Sequence, residues 1–411
     1  MNRRMIRKYA TMLALTVSAM LFLPAMSFAK GAVIGYAMGG TTPQPTAAQL
    51  DRLTHVMVFQ MFPNATGGLI TSPYLVPAWL SSFVTTAHAK NIKVSIAVGG
   101  WSTVYTKNFI TATNDVNRPT FVGNIVKFVS DHNLDGVDID WEYPQVGENT
   151  DPQRLAEWNQ CIALIKDLKA ALPDKRISMA IPGYTPTTTW FFGNSSIAGQ
   201  IWDAVDAVHL MTYDMHAWPT HSDAEKSKTV IDTWANWGST GGRNFDKEKL
   251  VIGCAFYGYQ YPAGKDPVSI RYNAGATNSD TPASLKNKVD HCYDKGYGGV
   301  MIWELSQDKY ITTTPELLSA IWNATQDKGG YNNIETVTAQ SPVQIYPNPA
   351  TTELYVKLDA QEAVDYVICD NVGQIVLQGK LQDNSTINIQ SLPNGIYYLR
   401  ASGKTVKIIK N

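Results

Sequence analysis

Eight short apolar segments recur along this 411-residue chain, at 32–38, 54–62, 93–99, 136–142, 176–182, 207–214, 250–257 and 299–305. Each is followed by polar or Gly/Pro residues and then by a helical pattern, as at 77–91, 120–133, 152–172 and 282–295. Continuous apolar runs of this length suit strands buried on both faces, which a parallel sheet covered by helices provides. Strand and helix alternating eight times predict an α/β fold of the (β/α)8 barrel type. In such a barrel the chemistry collects at the C-terminal ends of the strands.

Composition bounds what the chain does. With 34 basic against 35 acidic residues there is no electrostatic footprint for nucleic acid, and a neutral substrate is the natural inference. The N-terminal residues 1–29 read as a secretory leader. Arg3, Arg4, Arg7 and Lys8 precede an apolar run over 10–23, and Ser27-Phe28-Ala29 offers small residues for cleavage. A retained anchor is the alternative, although the run is short for a membrane span and no other stretch approaches spanning length. The barrel is expected over 30–327. A Gly-, Asn-, Thr- and Ser-rich linker follows over 328–341, and a small all-β sandwich over 342–411, where short alternating segments are separated by turn residues. Four widely spaced cysteines, Cys161, Cys254, Cys292 and Cys369, form neither a disulfide framework nor a zinc spacing.

The fourth segment carries the densest chemistry: Asp135-Gly136-Val137-Asp138-Ile139-Asp140-Trp141-Glu142-Tyr143-Pro144. On a strand, Asp138, Asp140 and Glu142 share one face while Val137, Ile139 and Trp141 share the other. Carboxylates this close cannot all ionise cheaply, so at least one keeps its proton near neutral pH and can act as a general acid. A solvated edge strand is the bland alternative, opposed by the apolar other face. A Ca²⁺ or Mg²⁺ site is another, opposed by the absence of a calcium-loop spacing nearby.

The four acids resemble the Asp-x-x-Asp-x-Asp-x-Glu signature of glycoside hydrolase family 18, the chitinases and endo-β-N-acetylglucosaminidases, with Tyr143-Pro144 as the usual sequel in its chitinases. The resemblance extends over about 30–325 and implies further roles. Glu142 would be the acid/base, Asp140 would hold the substrate's acetamido N–H, Asp138 would share a proton with Asp140, and Tyr213 would bond the acetamido carbonyl. Met211-Thr212-Tyr213-Asp214 matches the family's Met-x-Tyr-Asp, with Asp214 lining the same subsite. Trp303 would floor the subsite of the scissile sugar, whose apolar face stacks on indole, and Tyr36 would support the acid network. Trp101 and Trp218 are placed to stack on sugars on the leaving-group side, and Trp190 or Phe191 to extend the cleft. The stretch Ala97-Val98-Gly99-Gly100 departs from the family's Ser-x-Gly-Gly, so the serine's bond to the inner aspartate would be missing or supplied by water. The implied mechanism is retaining and substrate-assisted, with no metal or organic cofactor. The interval 257–298 has room for a loop and one helix, not for the α+β insertion of deep-cleft members, which favours internal cleavage of chitin or N-acetylglucosamine oligosaccharides. An endo-β-N-acetylglucosaminidase acting on N-glycan cores is the competing enzyme. A chitin-binding lectin on the same barrel is the competing binder, though such lectins typically lack the terminal acid.

In the C-terminal module, Ile345-Tyr346-Pro347-Asn348-Pro349-Ala350, Gly373, the turn Leu392-Pro393-Asn394-Gly395 and the tail Lys407-Ile408-Ile409-Lys410 look like the sorting domain of type IX secretion. That resemblance implies export across the outer membrane by the type IX machinery, to the cell surface or medium. A carbohydrate-binding sandwich is the alternative, with few solvent-facing aromatics evident to support it.

Overall fold

The computed structural model describes residues 31–411 except 40–43, 72–76, 103–104, 143–150, 186–194, 216–220, 241–243, 261, 263–266, 277, 312, 331–342, 359–362, 371–373, 383 and 402–403. The leader, Tyr143-Pro144, Trp190, Phe191, Trp218 and most of the linker therefore lie outside the described residues. The chain forms two compact units, one up to residue 333 and one from 334.

The first unit is a closed parallel barrel. Its strands are β1 (Ala32–Met38), β2 (His55–Pro63), β3 (Lys93–Gly99), β4 (Gly136–Asp140), β5 (Arg176–Pro182), β6 (Ala207–Met211), β7 (Leu250–Ala255) and β8 (Gly299–Trp303). Each pairs in parallel with the next, and β8 returns to β1. Helices α1 (Pro77–Ala89), α2 (Arg118–Asp131), α3 (Asp151–Ala171), α4 (Ser195–Ala204), α5 (Ala224–Ala235), α6 (Pro282–Lys295) and α7 (Glu316–Asp327) follow the strands from β2 onward.

Alternation along the strands creates two cores. Val33, Val56, Val58, Val137, Ile139, Val300 and Ile302 face the helices in a large outer core with Leu80, Phe121, Ile165 and Leu317. Their neighbours Ala32, Ile34, Tyr36, Met57, Ala97, Val251 and Met301 form a second cluster inside the barrel. The lumen is a packed layer, as eight strands require, and the polar residues Asp138, Ser178 and His209 are buried in it without exposure.

Four strands end earlier than the sequence suggests: β4 at Asp140, β6 at Met211, β7 at Ala255 and β8 at Trp303, two to three residues short of Glu142, Asp214, Tyr257 and Leu305. At each rim the backbone leaves the sheet. After Met211, Thr212 and Tyr213 bond back to the carbonyls two residues before them, and Asp214 adopts φ 53°. The interval between β7 and α6 holds an antiparallel ribbon, Tyr257–Gln260 with Val268–Arg271, where the sequence suggested a plain loop. Helix α6 opens on a capping box from Thr281 and Ser284 with Pro282 at its first position, and closes on Gly296 in the left-handed region at φ 77°.

All four cysteines are buried and unpaired. No helix among the described residues is long and apolar enough to cross a membrane.

The second unit is two antiparallel sheets. One joins β9 (Val343–Tyr346), β10 (Glu353–Leu358) and β13 (Ser385–Asn388); the other joins β12 (Ile375–Leu381), β11 (Val364–Cys369), β14 (Gly395–Ala401) and β15 (Lys404–Lys410). Leu354, Val356, Ile368, Ile387, Leu399 and Ile408 fill one core drawn from both sheets, the packing of a sandwich.

Candidate active site

The acid line lies across the top of the lumen. Asp138 is opposite Ala97 on β3 and opposite Ser178 on β5. Its Oδ2 accepts from the Tyr36 hydroxyl at 2.5 Å and its Oδ1 from the Ser178 hydroxyl at 2.5 Å. Ser178 thus supplies the bond that the sequence left to water or to nothing when Ala97 stood in for serine. Tyr36 is buried beneath the cleft, and its hydroxyl is committed to the aspartate network. Below it, His209 Nδ1 lies 3.0 Å from the Tyr36 hydroxyl and 3.4 Å from Asp138 Oδ1. Burial pulls that imidazole down to about 4, keeping it neutral at ordinary pH, while Nε2 finds no partner among the described residues.

Asp140 is the next inward carboxyl, and its Oδ1 is buried with no hydrogen-bond partner among the described residues. Burial, and then the charges of Glu142 and Asp138, push its carboxyl well above the ordinary carboxylate range. Glu142 stands just past the strand. Burial and the charge of Asp214 raise it to about 7, against the opposing effect of a hydrogen bond from the Trp101 backbone N–H. The glycine pair makes that bond possible: Gly99 and Gly100 take φ 113° and 99°, and a Cβ on Gly99 would sit 2.2 Å from the Asp140 carbonyl oxygen. The Gly100 N–H bonds that same carbonyl at 2.8 Å and aims the following residue at Glu142.

The opposite wall comes from the end of β6. Thr212 clamps β6 to β7, donating its hydroxyl to the Gly253 carbonyl at 3.0 Å and accepting from the Gly253 N–H at 2.9 Å. Met211 and Tyr213 face the cleft on either side of it. Burial, with the charges of Asp140, Asp214 and Glu142, holds the Tyr213 phenol far above its usual value, so it remains a donor. Burial tends to raise Asp214, but hydrogen bonds from His221 and the hydroxyls of Tyr257 (2.6 Å) and Tyr259 (2.8 Å) hold it below its usual value. It stays an anion facing a protonatable glutamate.

Trp303 floors the cleft, packed edge-on against Phe59 with centroids 4.7 Å apart and tilted against Tyr36 at 5.7 Å. Trp101 stands at the rim with 62% of its surface exposed. The cleft holds about 670 Å³ and includes Gln60, Tyr184 and Met215 besides the residues above. Its walls bring together Tyr36, Asp140, Glu142, Met211, Tyr213, Asp214, Trp101 and Trp303, with Asp138 beneath them. Asp135 belongs elsewhere: before β4, it accepts from the Val94 N–H, His88 and Lys93, stapling β3 to β4. Sequence reasoning missed Ser178, His209, His221, Tyr257, Tyr259 and Gln60. Only Ser178 and His209 carried a signal, as polar side chains at inward positions of apolar strands. Among the described residues no group of three His, Cys, Asp or Glu is arranged to hold a metal ion.

A model of the glycosyl hydrolases family 18 matches residues 32–308, and one of the secretion system C-terminal sorting domain matches 344–411. Chitinase 1 of Aphanocladium album is 25% identical over 277 residues, which are 54% of this chain and 63% of its own. A chitinase-like effector of Moniliophthora perniciosa is 28% identical over 203 residues, 45% of each chain. The chain thus spans less than two thirds of these relatives. Among solved structures, a family 18 chitinase from the chitin utilization locus of Flavobacterium johnsoniae is 26% identical, with a TM-score of 0.57 over 72% of this chain and 95% of that one. A chitinase from Bacteroides thetaiotaomicron, 24% identical, shares the fold with a TM-score of 0.60 over 73% of this chain and 98% of its own.

Proposed function

Because the chain belongs to glycosyl hydrolase family 18 and ends in a secretion-system sorting domain, we propose that it is an exported chitinase. It cuts internal β-1,4 bonds between N-acetylglucosamine units with retention, using the substrate's own acetamido group as nucleophile. The catalytic barrel corresponds to 30–327 and the sorting module to 342–411. One observation carries the reading: a glutamate held protonatable to about 7, at the end of a line of buried carboxyls, beside a tyrosine kept as a donor.

The chemistry follows from these groups. Glu142 gives its proton to the glycosidic oxygen as that bond to C1 breaks, while the acetamido oxygen attacks C1 and closes an oxazolinium ring. Asp140 Oδ1, buried without a partner among the described residues, accepts the acetamido N–H and stabilises the growing positive charge. Tyr213 donates to the acetamido oxygen and fixes its angle of attack. Asp138, held by Tyr36 and Ser178, shares a proton with Asp140. Glu142, now ionised, takes a proton from water that opens the ring at C1, restoring the acid. Trp303 stacks under the reacting sugar, and Met211 and Asp214 border the same subsite. Trp101 extends onto the leaving-group side, as does Trp218 by the same resemblance. The open groove and the short ribbon-and-helix interval after β7 support cleavage within a polymer.

Product analysis tests this directly. Defined N-acetylglucosamine oligomers are expected to give several shorter products at once, first as β-anomers. Release of an intact glycan from a high-mannose glycoprotein, with the oligomers untouched, would replace chitin by N-glycan cores. Initial α-anomers would overturn retention.

Protonation sets the pH response. Glu142 works only with its proton, and its value is raised to about 7. The rate constant kcat/KM on short oligomers should hold below that pH and fall about tenfold per unit above it. A profile flat to strongly alkaline pH would remove Glu142 from the acid role.

A further inference from the structure

Outside the cleft, the rim that carries Tyr213 and Asp214 rests on a buried ion pair. Lys288 of α6 and Asp280 just before that helix have fully buried side chains 2.9 Å apart. A lysine ammonium has three protons, and here all are directed: to Asp280 Oδ2, to Ser222 Oγ at 2.8 Å and to the Gly253 carbonyl at 3.1 Å. Ser222 in turn donates its hydroxyl to Asp280 Oδ2 at 2.7 Å. Asp280 also accepts from the Ala255 N–H at 3.0 Å and the Ser284 hydroxyl at 2.7 Å. Desolvation offsets most of the Coulomb gain of such a pair, so its value lies in selecting one arrangement of the parts it joins. Those parts are β7, α6 and the chain returning from the cleft to α5.

That returning chain reaches the active site one residue away. His221 precedes Ser222, and its Nε2 lies 2.9 Å from the Tyr257 carbonyl, the geometry of a donated proton. Its Nδ1 lies 3.2 Å from both the backbone N and the Oδ1 of Asp214. The Gly253 carbonyl that Lys288 touches also accepts from Thr212, between Met211 and Tyr213.

We propose that Lys288, Asp280 and Ser222 form a positioning network that holds His221 against Asp214 and thereby fixes Asp214 opposite Glu142. The inference rests on reading Glu142 as the catalytic acid. None of the three network residues meets substrate; they act through His221 and the Gly253 carbonyl. Among the described residues, the other groups facing Glu142 are Asp140 at the end of β4, Tyr213 just past β6 and the Trp101 N–H. Around Asp214 they are Tyr257 and Tyr259 on the ribbon. The charge of Asp214 is one of the influences that keep Glu142 protonated, so loosening Asp214 lets Glu142 ionise more readily.

Ser222→Ala removes the hydroxyl that relays Lys288 to this chain, and Ser222→Thr keeps it. Titration of Glu142 in the full chain without substrate, followed by side-chain carboxyl NMR and assigned by its loss in Glu142→Gln, reads the network without turnover. In folded Ser222→Ala, Glu142 is expected to titrate at lower pH than in the wild type. Its kcat on oligomers is expected to fall about 10- to 100-fold with KM little changed, the scale of a small misplacement of a catalytic group. Ser222→Thr should restore both. A folded Ser222→Ala whose Glu142 titration is unchanged or raised overturns the inference, as does a Ser222→Thr equally impaired. If Ser222→Ala fails to fold, the pair Lys288→Met with Asp280→Leu, which leaves no lone buried charge, gives the same reading. Absence of turnover in the wild type would count against the proposed function alone, because the titration still decides the network.

Discussion

Replacing Glu142 by glutamine is expected to lower turnover of N-acetylglucosamine oligomers by about 10²- to 10⁴-fold while leaving their binding within a few-fold. The amide keeps the size of the side chain and an oxygen that accepts from the Trp101 N–H. What it lacks is a transferable proton. Every other proposed contact survives: the Trp303 floor, the Tyr213 donor and the Asp140 acceptor. Turnover on oligomers together with calorimetric binding of the same oligomers checks the prediction. Near-normal turnover with intact binding would end the assignment of the acid. Equal loss of binding would mean that Glu142 holds substrate instead of protonating it.

The second large effect concerns the substrate. When the 2-acetamido group of the sugar at the scissile bond is replaced by a hydroxyl or a free amine, cleavage should fall to background. In the proposed mechanism no carboxyl of the cleft is the nucleophile: Asp140 is engaged in accepting the acetamido N–H, and Asp138 is bound by Tyr36 and Ser178 on both oxygens. The attacking oxygen then arrives with the sugar, as the proposal requires. Comparing cellulose, chitosan and chitin oligomers of one length under identical conditions isolates this point. Comparable rates on all three would require a protein nucleophile and overturn the substrate-assisted mechanism.

Much of the fold is legible in the sequence because strand alternation is a one-dimensional signal. Val137, Ile139 and Trp141 against Asp138 and Asp140 already separate the outer core from the lumen, and the structure assigns them so. Strand ends are less legible. Glu142, Asp214 and Leu305 continue the apolar or alternating pattern, yet the rim turns before them, set by backbone bonds such as Gly100 to Asp140 that no local pattern encodes. The same limit applies to the site. Ala97 reads as a lost hydrogen bond until the register of β4 with β5 brings Ser178 against Asp138. The anchoring of Asp214 needs His221 from the chain that returns seven residues on, and Tyr257 and Tyr259 from a ribbon more than forty residues away in sequence. Trp101 carries a pattern visible at once, but its 62% exposure, which leaves its face open to a sugar, is a property of the folded rim.

The cysteines carry a consequence of a different kind. A chain bearing a sorting domain for export passes into an oxidising compartment, where reactive thiols exchange, cross-link or oxidise. Here burial pushes the Cys254 thiol up to about 12 and raises those of Cys161 and Cys292 well above the ordinary value. The thiolate, which is the reactive species, is therefore all but absent at these three sites. Once the barrel closes, the reactivity of these three thiols is silenced by packing, and the fold owes nothing to a disulfide that a reductant could open. Oxidative damage to these sites is confined to chains that have not finished folding, and thiol labelling before and after refolding measures that window.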